Sequence, residues 1–188
     1  DFRNAFIASQ ERLQGKLDRV QLHWSTSRYA PWQEINLLDG LAALWEEGLF
    51  SELGISNMGP KRLKEIHKNL KARGIPLKSL QTQFSLLSPQ PKKHLKIKAT
   101  CKELNIDLLA YSPLALGVLT IPPRETKLPE TFWRKTIFRR LLPSTNHLRI
   151  ELEKIAIKRN VSQAQVALNW CISNGAIPIP GIRNPYQA

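Results

Sequence analysis

Apolar residues occupy every second position in several short stretches of the chain, a period that is typical of β-strands. In "LDRVQLHW" the apolar residues Val20, Leu22 and Trp24 follow this period. The pattern predicts a strand of about eight residues that ends near His23. Four further strands are predicted at "SELGI", "LKSLQTQF", "IDLLAY" and "AIPIP", and the two prolines of the last one keep it short because they cannot donate to a ladder.

Between the predicted strands, apolar residues recur at the spacing of three and four residues that indicates helices. Helices are predicted over about 34–49, from Pro60 to just before Gly74, over about 93–104 and over about 145–158. Ser162, with Gln165 three residues later, forms a capping box that opens a last helix. Asn174 and Gly175 are predicted to end it.

The stretch from Ser112 to Ser144 has no clear periodicity and is rich in proline. It contains Pro113, Pro122, Pro123, Pro129 and Pro143. A loop of this length within a compact domain is usually a lid, a binding loop or a disordered segment. We therefore expect an irregular segment here.

Strands that alternate with helices predict a parallel sheet built by right-handed crossovers. Two architectures compete, a doubly wound sheet and part of a (β/α)₈ barrel. No GxGxxG motif follows any predicted strand, which argues against the dinucleotide-binding version of the doubly wound sheet. At 188 residues the chain is shorter than the about 250 of a complete barrel. We therefore predict one partial domain over residues 1–188, roughly strands 4 to 8 of a (β/α)₈ (TIM) barrel.

The net charge of the chain suggests a different kind of partner. The chain has 28 Lys and Arg against 15 Asp and Glu, a formal charge of +13, which raises nucleic acid or anionic ligands as partners. However, the basic residues are spread over predicted helices without interleaved aromatic residues that could stack bases. A solvated outer surface therefore explains the charge better than a nucleic-acid interface.

The chain has no pattern typical of membrane or secreted proteins. No stretch approaches the roughly 18 consecutive apolar residues of a membrane span, and no leader-peptide pattern is present. Cys101 and Cys171 lack the spacing of metal ligands. We therefore expect a cytoplasmic protein in a reducing compartment, with no membrane, nucleic-acid or metal partner.

Polar and aromatic residues follow the predicted strands in each repeat of the pattern. They are His23 and Trp24, Ser56 and Asn57, Gln81, Tyr111 and Ser112, and Gly181 and Arg183. Singly, each has a structural explanation, such as a core histidine, a helix N-cap or a core aromatic residue. In a (β/α)₈ barrel, however, the C-terminal strand ends face the mouth of the active site. We therefore interpret them together as one polar rim.

The residue types of this rim match a nicotinamide nucleotide. Serine, asparagine and glutamine present hydroxyl and amide groups that are suited to a carboxamide. Tyr111 offers a flat face for stacking, and Arg183 can bind a phosphate.

Six segments of the chain resemble the aldo-keto reductases in order and approximate spacing, particularly bacterial and cyanobacterial members. They are "QLHW", "GISN", "LQTQFSLLS", "LLAYSPLALGVLT", "VALNWCI" and "IPIPGIRN". The resemblance implies that His23 orients and polarises the substrate carbonyl and that Trp24 lies in the substrate pocket. It further implies that the nicotinamide carboxamide is held by Ser56, Asn57 and Gln81.

The resemblance also implies a cofactor and a reaction. Tyr111 would stack on the nicotinamide ring, and Ser112 and Leu114 would lie along the pyrophosphate. Gly181, Arg183 and Gln187 fall where the family binds the adenosine 2′-phosphate, which implies NADPH, although Gln187 occupies a position that is often arginine. The implied activity is the reduction of small aldehydes or ketones to alcohols by hydride transfer.

The family's proton-donating tyrosine, with the lysine and aspartate that tune it, lies upstream of the histidine strand. The segment before His23 contains no tyrosine, and Tyr29 follows the histidine, so we do not assign Tyr29 that role. After "LGVLT" relatives commonly continue with Gly-Lys-Tyr, whereas this chain has "IPPRE". We therefore expect a fragment truncated at both ends that is inactive alone, with no oligomeric state predicted.

Two alternatives to a reductase remain open from the sequence. The first is a non-catalytic NADP(H)-binding or regulatory subunit of the same fold, which keeps the cofactor rim without the donor tyrosine. The second is a basic nucleic-acid-binding protein, whose binding would weaken steeply with salt.

Overall fold

The computed structural model describes residues 2–15, 17–23, 30–88, 91–125, 128–182 and 184–187. The strands are β1 (Arg19–Leu22), β2 (Glu52–Ser56), β3 (Leu77–Gln83), β4 (Asp107–Tyr111) and β5 (Ala176–Ile179). The helices are α1 (Phe2–Arg12), α2 (Pro31–Glu46), α3 (Pro60–Ala72), α4 (Pro91–Leu104), α5 (Phe132–Ser144), α6 (Asn146–Arg159) and α7 (Gln163–Ser173). Among the described residues, 3₁₀ helices cover Ala115–Thr120 and Pro185–Gln187. The predicted α/β class is confirmed.

The five strands form one sheet in sequence order, β1-β2-β3-β4-β5. β1 and β2 pair in parallel, with Gln21 opposite Gly54. β2 and β3 also pair in parallel, and after a register shift Gly54 lies opposite Ser79 and Ser56 opposite Gln81. A doubly wound sheet reverses its strand order at a switch point, whereas consecutive barrel strands are neighbours. The observed order is therefore that of barrel strands.

The chain divides into two compact units. Unit 1 comprises Asp1–Thr82 and Gln90–Leu109, and unit 2 comprises Gln83–Pro89 and Ala110–Ala188. In unit 1 the core is made by fully buried side chains of β2, β3 and the helices, namely Leu53, Ile55, Leu80, Leu41, Leu63 and Ile66. Lys61, Lys64 and Lys68 of α3 lie among its polar positions, which leaves Leu63, Ile66 and Leu70 as its buried stripe.

Unit 1 also buries a charged residue between α2 and α3. Glu34 is 0% exposed, and Arg62 donates from Nε to Glu34 Oε1 at 2.5 Å. Arg62 also donates from Nη1 to Glu65 Oε2 at 3.0 Å. A buried carboxylate is tolerated only where such a partner compensates the lost hydration.

The core of unit 2 is built around the 3₁₀ helix that follows β4. Leu119 packs with Leu152 and Ala167, which belong to α6 and α7. Val118 packs with Phe138 and Leu142, which lie one turn apart on α5. α7 begins at the predicted capping box, in which Gln165 N–H donates to Ser162 Oγ at 3.2 Å and Ser162 N–H donates to Gln165 Oε1 at 2.8 Å.

The prediction of an irregular segment from Ser112 to Ser144 was wrong in its last third, which forms α5. The helix forms because Phe138 and Leu142 bury one face against Val118. Pro143 is the penultimate residue of the helix, so its missing N–H affects only the last turn. The proline content therefore obscured a helix that tertiary packing stabilises.

The predicted eight-residue strand ending near His23 was too long, because β1 covers only Arg19–Leu22. Its ladder partner β2 ends at Ser56, and the next residue, Asn57, has a φ of +59° and turns away from the sheet. The last pair of the ladder joins Leu22 of β1 to Ile55 of β2. Within the described ranges, no helix is long and apolar enough to cross a bilayer.

We predict that Arg62→Met lowers the free energy of unfolding by about 3 kcal/mol, because it removes the ion pair between Arg62 and the buried Glu34 carboxylate. Arg73→Met is the matched control. Arg73 pairs with Asp39 and Glu46, whose side chains are 63% and 45% exposed, so its loss should cost about 1 kcal/mol or less. Urea denaturation followed by circular dichroism measures both, and equal losses would contradict the role given to Glu34.

Candidate functional site

The end of β2 forms the centre of the candidate site. Ser56 is the last residue of the strand and is 2% exposed. Asn57 follows in the left-handed region, which asparagine adopts more readily than most residues. The Asn57 side chain thereby folds back on the strand end, and its Nδ2 donates to Ser56 Oγ at 3.0 Å.

Asn57 also links the two neighbouring strands. Its Nδ2 lies 3.5 Å from the backbone carbonyl oxygen of His23, to which it donates. Its backbone N–H donates to the carbonyl oxygen of Gln81 at 2.8 Å. We call His23, Ser56, Asn57 and Gln81 the strand-end cluster. The structure brings these four predicted site residues together.

The side chain of His23 is exposed, directly after β1. A histidine that served only to pack the core would be buried, so the core-histidine interpretation does not fit this position. An exposed imidazole at a strand end can instead contact a ligand. Trp24, the other predicted site residue of this segment, lies outside the described residues.

Gln81 is held by a second glutamine, Gln21 of β1. Gln21 Nε2 donates to Gln81 Oε1 at 3.1 Å, and Ser79 Oγ donates to Gln21 Oε1 at 3.4 Å. Gly54 lies between Gln21 and Ser79 in the sheet register. We call Gln21, Gly54, Ser79 and Gln81 the amide layer.

The glycine at position 54 is required by this arrangement. A Cβ atom there would overlap Ser79 Oγ and would lie 2.8 Å from Gln21 Cγ. The absence of a side chain lets Gln21 reach across β2 toward β3. Gln21 and Ser79 are not among the site residues predicted from the sequence. The available signal was their spacing, because each lies two residues before a predicted site residue, His23 or Gln81, and therefore on the same face of its strand.

Charged groups occupy the opposite, N-terminal ends of the strands in unit 1. Arg19 donates from Nε to Glu52 Oε2 at 2.6 Å and from Nη2 to Asp107 Oδ2 at 3.3 Å. The hydrogen bond that Arg19 donates to Glu52 is the largest cause that raises the pKa of Arg19 above its ordinary value. The amide layer and the end of β2 thus offer uncharged donors and acceptors, which suit a neutral polar ligand such as a carboxamide.

In unit 2, Tyr111 ends β4 and is half-buried, with its carbonyl oxygen accepting from Phe84 N–H at 3.3 Å. The loop after it is strained, because Ser112, Ala115 and Leu116 have φ values of +50°, +49° and +59°. Non-glycine residues rarely adopt this region, and such strain is concentrated at functional sites. The side chain of Leu114 packs against the apolar cluster of Leu119, so only its backbone is left to face a ligand.

The remaining predicted residues follow β5. Gly181 is exposed after the strand, and Gln187 is exposed in the 3₁₀ helix that ends the described chain. The backbone N–H of Gln187 donates to Asn184 Oδ1 at 3.0 Å. Arg183 lies outside the described residues.

The two thiols of the chain are not candidates for nucleophilic chemistry. Burial raises the pKa of Cys101 to about 12 and that of Cys171 to about 11. Both are therefore protonated at neutral pH, and the thiolate is the reactive form.

Comparison with known proteins identifies relatives along the whole chain. The model of the Aldo/keto reductase family matches residues 1–188. The chain is 51% identical over 184 residues to a chloroplastic pyridoxal reductase of Arabidopsis thaliana, covering 97% of this chain and 50% of that protein. It is 32% identical to the aldo-keto reductase str7 of Strobilurus tenacellus, covering 93% of this chain and 52% of that protein.

A solved structure supports the fold assignment. The glycerol dehydrogenase of Gluconobacter oxydans matches with a TM-score of 0.80 and 27% identity, over 98% of this chain and 55% of that one. The predicted partial (β/α)₈ barrel is thereby confirmed. The chain spans about half the length of the relatives that it matches.

We predict that Gly54→Ala destabilises the protein by about 1–3 kcal/mol, because the new methyl group forces Ser79 and Gln21 apart. Gly59→Ala is the matched control, since a Cβ at position 59 meets nothing within 4 Å, and because Gly59 is the N-cap of α3 the substitution should cost less than about 1 kcal/mol. Thermal and urea denaturation of both variants measure the difference. A Gly54→Ala variant as stable as Gly59→Ala would show that the amide layer does not need the glycine.

Proposed function

The chain belongs to the aldo/keto reductase family, and we propose that it carries the part of a carbonyl reductase that binds NADPH and orients the substrate carbonyl. In the proposed reaction, hydride passes from NADPH to the carbonyl carbon of an aldehyde or ketone, and a proton reaches the oxygen to give an alcohol. The observation that carries the proposal is the strand-end cluster, in which Asn57 joins His23, Ser56 and Gln81 by hydrogen bonds.

The side chains of Ser56, Asn57 and Gln81 in the strand-end cluster are proposed to hold the nicotinamide carboxamide. A carboxamide has one hydrogen-bond acceptor, its oxygen, and two donors on its nitrogen. Ser56, Asn57 and Gln81 supply a hydroxyl and two amides, which are uncharged and can match both ends of such a group. The wholly uncharged character of these side chains favours a neutral ring substituent over a phosphate or carboxylate in this position.

His23 is proposed to polarise the substrate carbonyl beside the carboxamide. Its exposed imidazole comes one residue after β1, and its carbonyl oxygen is fixed by Asn57. The same residue that contributes to the carboxamide subsite therefore fixes the backbone of His23. Trp24, next in sequence, is proposed to line the substrate pocket on the basis of the family resemblance.

By the family resemblance, residues that follow β4 and β5 are proposed to bind the rest of the cofactor. Tyr111 would stack on the nicotinamide ring, and Ser112 and Leu114 would follow the pyrophosphate, Leu114 through its backbone. Gly181, Arg183 and Gln187 would meet the 2′-phosphate. A guanidinium is well suited to a phosphate, which supports NADPH over NADH.

The substrate is proposed to be a small aldehyde on a planar ring, such as pyridoxal. The support is the 51% identity to the Arabidopsis pyridoxal reductase over nearly the whole of this chain. The reaction also needs a proton donor, which the family places upstream of the histidine strand. We therefore propose that residues 1–188 alone bind NADPH without reducing pyridoxal.

We predict that the 188-residue chain binds NADPH about tenfold more tightly than NADH, because only NADPH presents the 2′-phosphate. Titration followed by tryptophan fluorescence measures both affinities. With pyridoxal added, absorbance at 340 nm should stay constant. The chain joined behind the N-terminal half of the Arabidopsis relative should oxidise NADPH in a pyridoxal-dependent manner.

Two outcomes would contradict this proposal. Failure of the chain and of the hybrid to bind NADPH would remove the cofactor site. Binding of NADPH by a hybrid that does not turn over would instead favour the alternative of a non-catalytic NADP(H)-binding subunit.

We also predict that His23→Gln in the hybrid lowers kcat/KM by about 100-fold or more while the affinity for NADPH changes less than about twofold. The expected loss arises because the flexible glutamine amide does not place an N–H donor where the imidazole ring nitrogen lies. His147→Gln, at an exposed position on α6, is the control and should leave kcat/KM unchanged. Equal activity of the two variants would exclude His23 from the reaction.

A further inference from the structure

We infer that Gln21 is a positioning residue that sets the direction of the Gln81 amide and thereby selects which end of a carboxamide ligand Gln81 can bind. The inference rests on the proposed function, because it assumes that Gln81 faces the nicotinamide carboxamide. It adds a residue that does not touch the cofactor and acts through its neighbour.

The direction of the hydrogen bonds carries the inference. The hydroxyl of Ser79 donates to Gln21 Oε1, and Gln21 Nε2 donates to Gln81 Oε1. The oxygen of Gln81 is therefore the end of its amide that faces Gln21. Its Nε2 is the opposite end and can donate to an acceptor beyond the amide layer. In the proposed site, that acceptor is the carbonyl oxygen of the carboxamide rather than its nitrogen.

This hydrogen-bonded series starts at a buried hydroxyl group. Ser79 is 0% exposed, so its hydroxyl depends on a protein partner rather than water. Gly54 leaves the space through which Gln21 crosses from β1 toward β3. Gln81 is only half-buried, and its amide could rotate by 180° if Gln21 did not hold it. One hydrogen bond favours one of these two directions by about fivefold to tenfold.

The fixed direction predicts how the site treats cofactor analogues. The 3-acetylpyridine analogue of NADPH keeps the ring carbonyl but has a methyl group in place of the amide nitrogen. If Gln81 donates to the carbonyl oxygen, this analogue keeps its bond to Gln81. If Gln81 presented its Oε1 instead, the acetyl group of the analogue would have no donor for that oxygen. The carboxamide of NADPH could still turn its amide nitrogen toward Gln81 Oε1 and donate to it.

Substituting Gln21 separates these cases. Gln21→Glu replaces the donating nitrogen by a carboxylate that only accepts, so Gln81 must turn its Nε2 toward Glu and present Oε1 to the ligand. We expect Gln21→Glu to lower the affinity for the acetylpyridine analogue about fivefold to tenfold more than the affinity for NADPH. Gln21→Met makes no hydrogen bond to Gln81 and so favours neither orientation of its amide. This variant should lower the affinity for NADPH about fivefold and leave the affinity for 2′,5′-ADP, which has no nicotinamide, unchanged.

The experiment measures the affinities of NADPH, the acetylpyridine analogue and 2′,5′-ADP for the 188-residue chain by isothermal titration calorimetry. Gln33→Leu on the exposed face of α2 is the control for removing a glutamine amide, and it should bind all three ligands as the wild type does. Circular dichroism melts check that each variant is folded. Should a Gln21 variant not fold, Ser79→Ala tests the same series, with an expected loss of about twofold for NADPH and none for 2′,5′-ADP.

The outcomes distinguish this inference from the function on which it rests. If the wild type binds NADPH more tightly than 2′,5′-ADP but all Gln21 variants keep its ligand ratios, the positioning role is overturned and the nicotinamide site stands. If the wild type binds NADPH no more tightly than 2′,5′-ADP, the strand-end cluster does not hold a nicotinamide, and both are overturned. A parallel loss for all three ligands would make Gln21 a purely structural residue.

Discussion

The candidate site depends on one close contact, in which the side chain of Gln21 on β1 passes over Gly54 of β2 and reaches Gln81 on β3. Parallel pairing brings β1, β2 and β3 side by side, but a side chain on the middle strand would keep the polar groups of the outer two apart. Because position 54 has no Cβ, Gln21 reaches Gln81 and Ser79 directly. The uncharged site at the strand ends is therefore built on a close approach in the sheet itself rather than on loops.

One residue, Asn57, links the ends of β1, β2 and β3 by hydrogen bonds. Its left-handed backbone ends β2 and brings its amide to Ser56 and to the carbonyl of His23. The polarity changes along the strands, from the ion pairs of Arg19 at their beginnings to amides and hydroxyls at their ends. Ion pairs thus link the strands at their beginnings, where no ligand is proposed. Uncharged amides and hydroxyls lie at their ends, where the ligand is proposed to bind.

Much of the fold could be predicted from the sequence, and the differences have physical causes. The βα alternation, the buried stripe of α3 and the capping box of α7 depend on local periodicity and on residues three apart, so they could be found without coordinates. α5 was missed because the prolines of the segment from Ser112 to Ser144 suggested a loop, whereas burial of Phe138 and Leu142 against Val118 stabilises a helix. That burial involves residues about 20 positions apart in sequence, which periodicity within one segment does not reveal.

For the candidate site, the sequence determined the residue types and their order at the strand ends, including His23, Ser56, Asn57 and Gln81. These follow from the position of polar residues after apolar stretches, which is a local property. The tertiary structure decided which of them touch, because contact between β1, β2 and β3 depends on register. It also added Gln21 and Ser79, whose importance comes from the space that Gly54 leaves between them. Register and the absence of a side chain act between strands 25 or more residues apart, so only the folded sheet reveals their effect.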